Sequence, residues 1–435
     1  MCATTLSMSG DSSSAVHPAR FHALDAVRAS ALLLGVVFHA AESFESNAVT
    51  YWAVGDRSSS TVLEVFRHAS HSFRMELFFL IAGFFAHLLW QRRGVAGFVT
   101  NRAGRILAPL VVGWVVLFPL LVFLWLTGAV RMGNWGPMGL PEELRAVPPW
   151  QLTLGLFFSG QFVQKFDLTH LWFLHQLLVL YALALVVRGA VLLCPWREWI
   201  VSGLDHGAGR LILSPLRAVW FAVLVWPPLL LQEGWSVGTP KSSLIPDPAI
   251  TWLYAICFGL GWALHRQVEL LDACRRHWRA HLGLGVVLTV VTSLGIRLVL
   301  RVGWLSHPEP WLRPVYLLVY GLMMGAFVFG FLGLFLDLCH AESPAWRYLA
   351  DSSYWVYLVH LPVVVALQIV VAPWSQPWWV KFPLVLLCAV PLLYLSYHVL
   401  VRSTLLGVWL NGRRFPFVSP WRLFRSAPGS GSLPP

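Results

Sequence analysis

Arg28 and His39 lie in one apolar run, Leu24-Asp-Ala-Val-Arg-Ala-Ser-Ala-Leu-Leu-Leu-Gly-Val-Val-Phe-His39. On an α-helix eleven residues turn through about 1100°, roughly 20° past three full turns, so both side chains emerge on one face, about 16 Å apart along the axis. Asp25, one turn before Arg28, shares the stripe and can pair with it. Ionisable residues in lipid are costly and mark functional sites. His39 is suited to take a proton from a hydroxyl or to carry a group itself, and Arg28 to steady developing negative charge beside Asp25. Burial favours a neutral imidazole that can act as a base. A nearby carboxylate, Glu42 one turn on or Glu76, opposes that preference.

Further polar residues interrupt other apolar runs. Phe73-Arg-Met-Glu-Leu-Phe-Phe-Leu-Ile-Ala-Gly-Phe-Phe85 places Arg74 and Glu76 at the outer end of a span, on the same side of the membrane as His39, with Gly83 deeper in, where close helix packing favours glycine. Arg102 and Arg105, three residues apart, form one helical face after the loop that holds Arg92 and Arg93. Guanidinium pairs grip phosphates bidentately, so this face suits a phosphorylated ligand, and equally a lipid headgroup. His170-Leu-Trp172-Phe-Leu opens another span, and His360 lies in Ser352-Ser-Tyr-Trp-Val-Tyr-Leu-Val-His360-Leu-Pro.

The elements that must position these residues are membrane spans. The 435-residue chain is 57% hydrophobic and 12% charged, against roughly 45–50% and 25% in soluble proteins. The expected fold is therefore an all-α polytopic membrane protein, a bundle of about ten transmembrane helices near residues 23–42, 73–90, 106–127, 170–193, 214–231, 249–265, 282–300, 314–337, 349–371 and 380–401. Alternate loops hold about nineteen and about eleven Lys and Arg residues. The positive-inside rule puts the richer set, and both termini, in the cytoplasm. Arg28 then faces the cytoplasmic side and His39 the outer side. The net charge of +11 thus reads as topology, with no nucleic-acid partner expected. Residues 1–20 and 416–435 read as disordered cytoplasmic tails. The six cysteines show neither paired nor metal-ligand spacing, and no metal site is expected. Outer segments 43–72 and 128–169, with an apolar stretch from Trp150 to Val163, could cover a cavity.

Four of these features resemble, in order and spacing, the integral-membrane acyltransferase 3 family over about residues 20–415: Asp25 to Arg28-x10-His39, Glu76-Leu-Phe-Phe-Leu-Ile-Ala-Gly83, Arg102-x-x-Arg105, and Ser353-Tyr-Trp-Val-Tyr-Leu-Val-His360-x-Pro362. The His170-Leu-Trp-Phe-Leu segment and the run from Tyr397 to Arg414 resemble the glucan-modifying branch, whose best-known member succinylates periplasmic glucans, although Glu76 is closer to the wider family. The resemblance implies a bacterial inner-membrane, multi-pass acyltransferase domain over 21–415. Such an enzyme moves a succinyl or acetyl group from cytoplasmic acyl-CoA, a co-substrate rather than a bound cofactor, to a hydroxyl of an extracytoplasmic carbohydrate. Catalytic roles then fall to His39, Arg28 and Asp25, donor binding to Arg102 and Arg105, and acceptor-side or supporting roles to Glu76, Glu42, His170, Trp172 and His360. The alternative is a transporter or exporter of a small solute or glycan precursor, which ten spans with buried Asp, Arg and His would also serve, but no paired, Gly/Pro-broken halves are visible.

Overall fold

The computed structural model describes residues 21–135, 141–164, 166–302, 309–339 and 341–416; the expected tails, apart from residue 416, lie outside the described residues. Every regular element among these residues is helical. In chain order the α-helices are α1 His22–Glu42, α2 Thr61–His71, α3 Arg74–Arg102, α4 Ala108–Met132, α5 Pro149–Phe158, α6 Trp172–Leu193, α7 Arg197–Leu213, α8 Arg217–Leu230, α9 Pro248–Arg266, α10 Leu270–Cys274, α11 Trp278–Val302, α12 Leu312–Leu338, α13 Pro344–Val371, α14 Trp378–Ser396 and α15 Leu405–Asn411.

Among the described residues, eight helical stretches are long and apolar enough to cross a membrane. One of them, residues 61–132, contains α2, α3 and α4, while apolar α8 has only 14 residues, about 21 Å against roughly 30 Å of hydrocarbon. Helix starts follow local chemistry. Asp247 caps α9 by accepting from the Ile250 N–H at 2.8 Å, and Ser343 caps α13 by accepting from Trp346 at 3.5 Å, each ahead of a proline in the first turn. Gly94 interrupts α3 at φ 64°, a left-handed conformation open to glycine. The chain leaves it as a second helical run that passes through a π turn at Ala103–Leu107 into α4.

Small residues set the closest helix contacts. A Cβ at Gly83 of α3 would run into the carbonyl oxygen of Phe258, and one at Gly261 of α9 into that of Leu80, so α3 and α9 cross backbone to backbone. Gly325 of α12 lies less tightly against α8, where a Cβ would come within 3.0 Å of the Ala218 carbonyl oxygen. The apolar stretch from Trp150 becomes α5, which packs on α4. At one end of the bundle the 43–60 loop is tied down from both sides. The Ser43 hydroxyl donates to the Val54 carbonyl at 2.6 Å, and the fully buried Lys381 ammonium bonds Asp56 at 2.9 and 3.0 Å.

Gly83→Ala and Gly261→Ala should each destabilise the protein by about 1–3 kcal/mol through overpacking, read as a lower melting temperature in detergent. Gly259→Ala, whose new methyl group meets open space, should leave the melt in place. Equal melts for all three would refute a close-packed α3–α9 crossing.

Candidate active site

The expected stripe on α1 exists. Arg28, Ala31, Leu32, Gly35 and His39 line one face of a cavity of about 320 Å³. Helix α13 faces it with Ala350, Tyr354, Tyr357 and His360, spaced for one side of a helix. His39, His170 and His360 gather at one end, and Arg102 and Arg105 stand with Asn411 of α15 at the other. Sequence positions 28 to 411 thus meet around one space.

At the histidine end, His39 Nδ1 lies 2.7 Å from Glu42 Oε2. A carboxylate accepts, so Nδ1 carries the hydrogen and Nε2, with no protein partner among the described residues, is left with its lone pair. The His39 ring stacks on Trp52 at 5.8 Å with 10° between planes, and the His360 ring lies 5.2 Å away. Gln368 of α13 fixes this arrangement from behind. Its carbonyl accepts from the Trp52 indole N–H at 2.9 Å, while its amide donates to the carbonyls of His39 at 2.9 Å and Ala40 at 3.2 Å.

Pro362 lies inside α13. It has no N–H, so the carbonyl of Leu358, one turn earlier, loses its helical donor. His170 Nε2 supplies the missing hydrogen at 2.9 Å, and Tyr357 returns a bond from its hydroxyl to the His170 carbonyl at 2.8 Å. The two histidine-bearing motifs are therefore stitched to each other. His360 donates through Nδ1 to the Tyr357 carbonyl at 2.6 Å, which leaves its Nε2 as an acceptor. His170 follows Thr169, whose φ of 51° is a strained value for a β-branched residue.

At the arginine end, the π turn that carries Arg105 is held through its carbonyls, by the Tyr354 hydroxyl to Arg105 at 2.7 Å and by the Trp409 indole to Gly104 at 3.0 Å. Arg102 lies over the Tyr181 ring at 4.6 Å. Among the described residues neither Arg102 nor Arg105 has a carboxylate partner. Both point their charge at the cavity they line and can grip phosphate there. Arg28, by contrast, pairs with Asp25 at 3.3 Å and donates to the Ala350 carbonyl at 3.3 Å.

Of the residues expected at the site, His39, Arg28, Arg102, Arg105, His170, Trp172 and His360 line the cavity. Asp25 and Glu42 stand behind it, each on a lining residue. Glu76 is elsewhere. It is completely buried, lines no part of the cavity, and neither of its oxygens has a hydrogen-bond partner. Its neighbour Arg74 is the residue that turns inward, with its guanidinium 4.1 Å from the Phe38 ring centre. Sequence reasoning passed over Gln368 and Trp52. A glutamine amid the apolar run from Val363 to Val371 was the available signal; a loop tryptophan offered none.

Among the described residues the chain is an all-helical, multi-pass membrane bundle around such a cavity, an architecture that a membrane-embedded transferase and a transporter can share. A family model described as an acyltransferase domain matches residues 21–398; the chain belongs to the acyltransferase 3 family and is an acyltransferase. Among curated proteins it is similar to glucans biosynthesis protein C of Escherichia coli strain K12, 24% identical over 401 residues that cover 91% of this chain and 95% of the relative. The counterpart in Escherichia coli O157:H7 is 25% identical over 411 residues, with the same coverage. That in Shigella dysenteriae serotype 1 is 24% identical over 402 residues, again with the same coverage. No solved structure matches.

The stitch between His170 and the Leu358 carbonyl is testable by a double-mutant cycle. His170→Phe alone should cost about 1–3 kcal/mol in unfolding free energy, the penalty of an orphaned buried carbonyl. In a Pro362→Ala background, where residue 362 regains its N–H, the same substitution should cost much less. Additive losses in the cycle would disprove the pairing.

Proposed function

We propose that this acyltransferase moves a succinyl or acetyl group from cytoplasmic acyl-CoA to a hydroxyl of an extracytoplasmic glycan, with a periplasmic glucan as the first candidate. The observation that carries this reading is that one cavity joins Arg102 and Arg105 to His39. A donor anchored by its phosphates at the arginine pair has about 16 Å to cover from the level of Arg28 to that of His39, which suits an extended pantetheine arm. The similarity to glucans biosynthesis proteins supports glucan as acceptor. In this reading the chain crosses the inner membrane ten times, through α1, α3, α4, α6, α8, α9 and α11 to α14. The arginine-rich loops and both termini are cytoplasmic.

His39 Nε2 takes the proton of the acceptor hydroxyl as that oxygen bonds the thioester carbonyl carbon. The tetrahedral intermediate then collapses, the carbon–sulfur bond breaks, and the proton passes from the imidazolium to the departing thiolate. Glu42 holds the ring in the tautomer this requires, as its 2.7 Å contact with Nδ1 suits. Arg74, whose buried Nη1 has no hydrogen-bond partner, is the donor for the developing oxyanion. Arg28, steadied by Asp25, guides the thioester along α1. Trp172 and His360, both on the cavity wall, the latter with its ring 5.2 Å from that of His39, take the acceptor side, where an aromatic face can stack on a sugar ring.

His39→Ala should abolish acyl transfer while membrane insertion remains intact. Glu42→Gln, which keeps a polar partner but no carboxylate, should lower kcat by about 10²-fold or more. Glycan acylation retained in the His39→Ala cells, read by mass spectrometry of the envelope, would end the proposal.

Neutralising both donor arginines, Arg102→Gln with Arg105→Gln, should raise KM for acyl-CoA and leave KM for the glycan unchanged. An unaltered donor requirement would reduce the pair to a headgroup anchor.

A further inference from the structure

A second cavity, of about 940 Å³, lies on the flank of the bundle between α6, α7, α8 and α9, and shares no lining residue with the first. Leu183, Val187, Val223 and Leu224 on its walls are exposed at the protein surface, so in a membrane it opens to lipid. Its polar groups concentrate at one end, the end where α6 and α9 finish and α7 crosses over. There stand Arg188, Arg210, Arg266 and Asp205.

The charges on that rim are unequal. Asp205, its one carboxylate, is bound in a fork by Arg266, with contacts of 2.9 and 2.7 Å. Gln267 adds a bond to the Asp205 carbonyl at 3.0 Å, which fastens α7 across the end of α9. Arg188 lies over the Trp90 ring at 4.9 Å, and among the described residues neither Arg188 nor Arg210 pairs with a carboxylate. Two uncompensated guanidinium groups thus cap a deep apolar slot. That pattern is complementary to a phosphate diester whose acyl chains run down between the helices. The slot is also left open by glycine. An added Cβ at Gly203, Gly207 or Gly259 would meet nothing within 4 Å.

We propose that this groove is a binding site for an anionic phospholipid of the surrounding bilayer, with the phosphate on Arg188 and Arg210 and the acyl chains against α6, α8 and α9. A neutral zwitterionic lipid would fill the same apolar space but would leave the net positive charge of the rim unbalanced. The bound lipid would wedge α7 against the ends of α6 and α9, away from the acyl-transfer cavity.

Native mass spectrometry of the delipidated full-length protein in detergent tests this, with phosphatidylglycerol and phosphatidylcholine offered in equal amounts. Phosphatidylglycerol should be retained over phosphatidylcholine by about ten-fold or more, on the order expected for two basic side chains. The pair Arg188→Gln with Arg210→Gln should erase that preference, and Arg188→Lys with Arg210→Lys should largely keep it. Gly259→Phe, which fills the slot, should reduce binding of both lipids, and melting curves in the same detergent show whether each variant is folded. Equal retention of the two lipids, an unchanged preference in the glutamine pair, displacement of phosphatidylglycerol by inorganic phosphate, or formation of a dimer in place of lipid binding would each overturn the proposal.

Discussion

The hydrogen bond from His170 to the Leu358 carbonyl shows what governs this molecule. In an apolar bundle no water completes an unfinished backbone, so a proline in the middle of α13 creates a demand that another side chain must meet. His170 meets it, and in doing so fixes where α6 begins relative to α13. The reciprocal bond from Tyr357 tightens the same joint. Gln368 solves the analogous problem a few turns on, saturating both halves of its amide between Trp52 and the last carbonyls of α1. The walls of the cavity are thus joined by polar bonds whose partners have no alternative, and such bonds specify position more than they add stability.

The distribution of charge follows a second rule. Around the loop that covers the His39 end, opposite charges are paired: Asp56 with Lys381, Glu45 with Arg67, and Glu64 with Arg297. The buried Asp56–Lys381 pair roughly balances its own desolvation, so its contribution is to hold one geometry. Here that geometry keeps Trp52 against His39. At the opposite end, among the described residues, Arg102 and Arg105 stand without carboxylates, as do Arg188 and Arg210 on the flank.

Much of this was legible in the amino-acid order, and the boundary is physical. The Arg28-to-His39 stripe follows from helix periodicity alone, because eleven residues close three turns whatever surrounds them. The apolar runs announce helices for the same reason. Three-dimensional choices were not legible. Arg74 and Glu76 are two residues apart and so point about 200° away from each other on α3, but nothing local states which of them faces the cavity. The structure turns the arginine inward and buries the carboxylate. Likewise the span count depends on how Gly94 and the π turn divide residues 74–132, and on α8 being shorter than the apolar run that contains it. Trp52 lay beyond reach because a loop residue takes its meaning from the helix it folds back onto.

The volume of the cavity rests on what lies between the charged ends. On α1 the residues that separate Arg28 from His39 along the stripe are Ala31, Leu32 and Gly35, two of them small. A Cβ at Gly35 would meet the Arg74 guanidinium at 3.7 Å, an ordinary van der Waals contact, so a methyl group fits there and only a longer side chain would crowd that group. Larger side chains at 31 and 35 would satisfy helix propensity and packing better, yet they would close the space that connects the two ends. The empty volume costs stability, since the lining atoms forgo contacts they would make in a filled core. The polar bonds that tie α1, α6 and α13 together let the bundle hold that volume open. The interactions that orient the histidines and those that keep the passage from collapsing are therefore largely the same ones.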